Sequence, residues 1–222
     1  PFLAYVNVIV VPGDSPAQGL GDLAGKRVGA LDVRSFDWIM TLAAAQNAGV
    51  DLTAGTEVIE GAPALMRGLM DQGQMDATVM WNSLTPDMIV DGKYRILTTV
   101  RDLALGMGLP DVAFLIYAAK SDWVAANPKN AAAFAAAYRE AAQILIDDDA
   151  VWTERAVGEM GMTEAAAAIL RDGVRKDLLM AFSPEDNATY KRTFEMLVEV
   201  AGSEVFGFDA MPDVVVTLDY NP

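Results

Sequence analysis

Three short stretches of this chain carry the side chains best suited to hold a small molecule. Asp32-Val33-Arg34-Ser35-Phe36 offers a guanidinium, a hydroxyl and an aromatic ring. Glu60-Gly61-Ala62 sets a carboxylate beside a residue with no side chain, and Trp81-Asn82-Ser83 offers an indole and an amide. Arg34 has the planar fork that pairs bidentately with a carboxylate or sulfonate, although a loop arginine is more often a plain surface charge. Trp81 can stack on a flat ligand or pack at the rim between helices. The electrostatics pull two ways. Helix N-termini favour anions, whereas Asp32, Asp37 and Glu60 at the same mouth favour an amine or a protonated heterocycle held over Trp81. Catalytic machinery is poorly represented: the chain has no Cys and no His, which removes Ser-His-Asp and Cys-His nucleophiles, His metal sites and a His general base. A carboxylate-based enzyme is the catalytic alternative that survives, and no cofactor and no metal are called for.

The elements that must position these residues alternate. Tyr5–Val11 is apolar and β-branched, a buried strand, broken by Pro12-Gly13-Asp14-Ser15-Pro16. Strand Lys26–Leu31 then feeds helix Ser35–Ala48, where Phe36, Ile39, Met40 and Ala43 recur on one face and Gly49 closes the end. Ser35 has the type and place of an N-cap whose hydroxyl accepts a backbone N–H. Strand Thr56–Glu60, a helix opening at Gly61-Ala62-Pro63, strand Met75–Trp81, a short helix after Ser83 and strand Tyr94–Val100 complete a β-α-β-α-β-α-β series, the pattern of a parallel sheet covered by helices. Loops after parallel strands face the ligand edge of such a sheet, which is why Arg34, Ser35, Phe36, Glu60, Gly61, Trp81 and Asn82 are the candidate ligand-binding residues. Trp38 is expected to pack and Asp76 to pin the turn into its strand.

Beyond this unit, Leu103–Asp111 contains Gly106, Gly108 and Pro110, a second flexible break. Val112–Ala119 is a continuous apolar run expected to form a strand. Helices are expected at Asn127-Pro128 onward, Val151–Met160, Thr163–Asp172 and Pro184–Ala201, the last with Ser183 as N-cap, and the tail from Gly202 is irregular. Asp147-Asp148-Asp149 lacks the alternating spacing of a calcium loop and is expected to be a solvated helix end. Asn187-Ala188-Thr189 matches a glycosylation triplet that arises often by chance. The glycines around Gly19–Gly25 have neither the spacing nor the position of a nucleotide-binding loop.

Composition limits the function classes. A net charge of −15 argues against nucleic acid and anionic membrane surfaces as partners. The apolar runs are too short to cross a bilayer, so no membrane insertion is expected. Two breaks flanking an α/β unit suit two lobes around a cleft that closes by hinge motion, or one sheet with two long loops.

Ile9-Val10-Val11-Pro12-Gly13-Asp14-Ser15-Pro16, followed by Leu20-Gly21-Asp22-Leu23-Ala24-Gly25-Lys26-Arg27-Val28-Gly29, is similar to the middle of periplasmic substrate-binding proteins of ABC importers, nearest the sulfonate, nitrate and thiamine-pyrimidine binders. Leu65-Met66-Arg67-Gly68, Gly73–Trp81, Asn127-Pro128 and Phe182-Ser183-Pro184-Glu185 recur in the same order. No one motif is specific; their order and spacing across nearly the whole chain carry the likeness. The resemblance implies a type 2 periplasmic-binding α/β fold with central, mostly parallel sheets, and two lobes: residues 1–19 with 111–222, helix-rich and incomplete, and residues 20–110. It also implies a periplasmic location after export, a small-molecule ligand bound without chemistry, and transient contact with an ABC permease. Members of that family carry roughly a further half-domain before the segment matching Tyr5–Val11, and this chain begins with Pro, so a fragment or a natural truncation is expected, with an unpaired edge in the shortened lobe. Effector domains of transcription regulators share the broad fold, as do decarboxylases and pyrimidine-synthesis enzymes. The first would need a DNA-binding segment not seen here, and the second would be expected to use a His.

Overall fold

The computed structural model describes residues 2–221. Its centre is a five-stranded sheet of β1 (Asn7–Pro12), β2 (Arg27–Ala30), β3 (Glu57–Glu60), β4 (Ala77–Trp81) and β5 (Tyr94–Thr99), in the order β3-β2-β4-β1-β5. β2 pairs in parallel with β3 and β4, while β1 runs antiparallel to both β4 and β5. Residues 1–19 were expected to belong with the C-terminal segment. The hydrogen bonding corrects that boundary, because Asn7–Pro12 lies inside the sheet built by residues 27–99. β1 has an apolar side chain facing each side, so it needs a strand on both edges and a layer on each face, and β4 and β5 supply the two edges.

The two faces of β1 show this. Ile9 and Val11 pack with Val28, Ala30, Ala77, Val79 and Trp38 on one side of the sheet. Val8 and Val10 pack with Met66, Met70, Met75, Met80 and Met88 on the other. This is the period of two that a pleated strand imposes. The first side is covered by α1 (Phe36–Asn47), the second by α2 (Pro63–Asp71) and α3 (Pro86–Ile89). Trp38 is buried, as expected of a packing residue. Gly29 is required by the methionine layer, since a Cβ there would lie 2.6 Å from the sulfurs of both Met66 and Met75 and 2.7 Å from Thr78 Oγ1. Asp76 joins strand starts as expected: its Oδ2 accepts from Arg27 N at 2.9 Å and Nε at 3.0 Å, and its Oδ1 from Nη2 at 2.8 Å.

Beyond β5 the chain is helical: α4 (Val100–Gly106), α5 (Ser121–Ala126), α6 (Pro128–Asp147), α7 (Asp149–Trp152) continuing as a π-helical segment Thr153–Glu159, α8 (Glu164–Asp177) and α9 (Asp186–Ala201). α4 takes in Val100, expected at the end of a strand, and the start of the stretch 103–111 expected to be a flexible break; Val100 and Ala104 bury against Ile39, Met40 and Leu197, and Thr99 caps the helix by accepting from Asp102 N. The run 112–119 is not a strand. Leu3 bridges Leu115 on one side and Leu178 on the other, and pairing in this region of the described residues consists of those isolated bridges. Ser183 is not a side-chain acceptor for α9; its hydroxyl donates to Asp186 Oδ1 at 2.7 Å, and the helix starts at Asp186. Asp148 caps α7 by accepting from Ala150 N, and Asp149 pairs with Arg171 and Arg175, so the acidic turn is used within the protein. Asn187 is also committed: its Oδ1 accepts from Val215 N and Val216 N, and its Nδ2 donates to Val216 O.

Candidate functional site

The parallel strands β2, β3 and β4 end together, and antiparallel β1 begins at the same edge, so Asn7 stands in register with Trp81. The edge therefore collects residues from four strands. An indentation of about 10 Å³ lies there, lined by Asn7, Leu31, Asp37, Gly61, Met66 and Trp81 among others. It takes about one water-sized group. Trp81 is 42% exposed at its rim. Gly61 lines it at a point where a side chain does not fit, since a Cβ there would meet Leu65 Cδ2 at 2.7 Å and Met66 Cε at 3.0 Å.

Of the seven residues expected to face a ligand, Gly61 and Trp81 line this indentation. The rest stand around it with local partners. Arg34 is held by Asp32, with Nε 3.2 Å from Oδ1 and Nη2 3.1 Å from Oδ2. That contact raises the guanidinium further and holds the Asp32 carboxyl below its ordinary range. Ser35 occupies the N-cap position of α1, but its hydroxyl donates to Asp32 O at 2.6 Å, so it does not accept from the helix as its type suggested. Phe36 stacks on Phe114 with ring centres 4.4 Å apart and on Tyr5 at 6.1 Å. Glu60 accepts from Val33 N at 2.7 Å, which ties the loop after β2 to the end of β3. Asn82 donates to Asp177 Oδ2 at 2.8 Å.

That last contact reaches into the helical part of the chain. Asp177 ends α8, is buried, and lies 3.8 Å from Arg101 Nη1. Arg101 in turn makes a fork to Asp111, at 2.7 Å from Nε and 2.5 Å from Nη2. Burial raises the Asp177 carboxyl, with the Arg101 charge opposing it. Hydrogen bonding to Arg101 holds Asp111 down. Tyr5 is buried beside this group; its hydroxyl, pushed up to about 12 by burial and then by the Asp111 charge, has no hydrogen-bond partner among the described residues.

Asn7 was missed by sequence reading. It is buried, and its Nδ2 donates to Asp37 Oδ2 at 3.0 Å. The available signal was a lone amide inside the apolar run Tyr5–Val11. A second groove, of about 430 Å³, lies at the far end of α1 between Leu42, Val50, Leu52 and Val200. It is larger but offers less chemistry, because the Asp51 carboxylate is already bound by Thr53 Oγ1 at 2.6 Å and Thr53 N at 2.8 Å. Among the described residues no cluster of acidic side chains could hold a metal ion, and no helix is long and apolar enough to cross a membrane.

Residues 4–150 match the family model described as NMT1/THI5 like. Among solved structures, the alkanesulfonate-binding protein SsuA from Xanthomonas axonopodis pv. citri, bound to MOPS, is similar with a TM-score of 0.72 at 17% identity; the match covers 90% of this chain and 68% of that one. The periplasmic aliphatic sulphonate binding protein SsuA from Escherichia coli gives 0.71 at 22% identity, covering 90% and 65%. The desulfurization enzyme DSZB gives 0.56 at 19% identity, covering 91% and 74%. The chain thus spans about two thirds of the length of the sulfonate-binding proteins it resembles, with the same α/β fold. No curated protein matches it.

Proposed function

The chain belongs to the NMT1/THI5-like family, and from that premise we propose that it is the solute-binding component of an ABC importer. It holds a small polar organic molecule and passes it unchanged to a membrane permease, working in the periplasm after export. The observation that carries this reading is the convergence of β1, β2, β3 and β4 on one indentation rimmed by Trp81, at the sheet edge where open α/β folds take ligands. The Asn82–Asp177 hydrogen bond and the Arg101–Asp111–Asp177 group join the sheet unit to the helical unit beside that edge, which is where a hinge between two lobes would be controlled. In this reading one lobe comprises the sheet unit, residues 20–110 with β1 added, and the other comprises the helical segment from residue 111. The similarity of fold to DSZB keeps an enzyme reading in view; with neither Cys nor His in the chain, such an enzyme would have to work through carboxylates.

The test is a thermal-shift screen of the protein against sulfonates, nitrate, primary amines and pyrimidines, followed by recovery of any compound that binds. Specific binding raises the melting temperature by mass action. Binding with the compound recovered unchanged is expected. A compound recovered chemically altered contradicts the reading, as does a panel that leaves the melting temperature flat.

A further inference from the structure

We propose that the indentation is a subsite for a protonated nitrogen, a primary ammonium or amidinium head group. The ligand class then differs from the sulfonates named for the structures of similar fold. This rests on the solute-binding reading and deepens it. Asn7 is 3% exposed and Asp37 6% exposed, and both line the indentation. They are joined by one hydrogen bond, from Asn7 Nδ2 to Asp37 Oδ2, which leaves Asn7 Oδ1 and Asp37 Oδ1 without a partner among the described residues. Neither oxygen is among the atoms that are both sealed from solvent and unpartnered, and both residues line the indentation. Two unoccupied acceptors, one on a carboxylate, require a group that donates. A buried carboxylate with a single neutral partner also gains most from a positive one.

The surrounding charges point the same way. Asp37 sits in the first turn of α1, where its own carboxylate already meets the positive end of the helix that an incoming anion would use. Arg34, the cation nearest in sequence, is occupied by Asp32. Glu60 adds a further negative charge, spent on Val33 N. Trp81 stands exposed at the rim, where its ring can face a cation. The space admits one small group, so an N–H₃⁺ or =NH₂⁺ head enters while the body of the ligand lies outside over Trp81.

The experiment is calorimetric titration of the protein with two matched sets, primary alkyl- and arylamines with amidines, and sulfonates with carboxylates. Each set is repeated on Asp37→Asn, which keeps the shape and an acceptor for Asn7, and on Glu57→Gln at the other end of β3 as a charge control. The amine set is expected to bind, with affinity falling at least tenfold in Asp37→Asn and under twofold in Glu57→Gln. Amines that bind equally well to wild type and Asp37→Asn overturn the subsite. Sulfonates that bind while amines do not overturn the proposal but leave the solute-binding reading standing. Binding by neither set overturns the proposal, and the solute-binding reading then stands or falls with nitrate and the pyrimidines. Circular dichroism melting of Asp37→Asn establishes that the variant is folded. If it is not, Trp81→Ala replaces it, with the same tenfold loss expected for amines and an unchanged affinity counting against the proposal.

Discussion

Two apolar runs of this chain, 5–11 and 112–119, look alike on paper and end in opposite circumstances. The first becomes a central strand with hydrogen-bonded neighbours on both sides and Ile9, Val10 and Val11 wholly buried. The second buries Val112 against α4 and α9 and buries Ala113 beside it, then leaves Ile116 39% and Tyr117 52% exposed, with the Leu115 backbone bonded to Phe2 and Leu3 through an isolated bridge. β-propensity describes fitness for a pleated, half-buried surface, and the surface itself must come from other strands. The same contrast holds for helices. α1 lies on the sheet and buries eight residues, whereas the longer α6 buries Ala142 alone and leaves Phe134 53% exposed. Phe2, Tyr117, Phe134 and Tyr138 gather there instead as an aromatic cluster, with Tyr117 and Phe134 ring centres 5.1 Å apart.

The contrast can be broken most sharply by truncating equivalent residues. Ile9→Ala leaves a cavity between two packed layers and is expected to cost about 2–5 kcal/mol, read by urea unfolding. Ile116→Ala at the matching place in the second run should stay within about 0.5 kcal/mol of wild type. Equal losses would mean that the second run is as fully packed as the first.

Gly29→Ala comes next. Its methyl group enters the space held by Met66, Met75 and Thr78, an overpacking expected to cost about 1–3 kcal/mol. Methionine is adaptable, so an effect near the lower end would show the layer repacking. An unchanged melting temperature would show that the close approach over β2 is not as described.

Acid titration separates the two units by sign. Arg27 holds Asp76 below its ordinary 3.8, so its contribution is present above that pH and is lost as pH falls through the lowered value. Both side chains are more than a third exposed, and Asp76→Asn should cost about 1 kcal/mol or less at neutral pH. Asp177 behaves inversely. Burial raises it above 3.8, so the folded state is favoured while it is protonated and loses stability as pH rises through the raised value. Asp177→Asn should remove that decline while still accepting from Asn82. Stability profiles of the two variants with the same slope difference from wild type would contradict this assignment.

Much of the sheet unit was legible because its signals are local. Apolar, β-branched strands, Gly49 with φ +74 after α1, and Pro63 at the start of α2 each follow from one stretch of sequence. Less legible was what depends on remote partners. α4 was obscured by Gly106 and Gly108, which end the helix and its following turn. The place of β1 could not be read from its own residues, since an apolar strand fits any sheet that has room for it. That Trp81 and Gly61 line the indentation followed from strand ends alone. Asn7 escaped because it arrives on an antiparallel strand, whose beginning lies beside the ends of the others. Ser35 and Arg34 had the right types for an open mouth, but Asp32 satisfies both of them.

Hydrogen–deuterium exchange with the compound that most raises the melting temperature tests the central claim most directly. Binding at the shared edge of β1, β2, β3 and β4 predicts slowed exchange in residues 31–37, 60–63 and 81–83, with the groove around Leu42, Leu52 and Val200 unchanged. Slowed exchange confined to that groove, or to the aromatic cluster on α6, would contradict it.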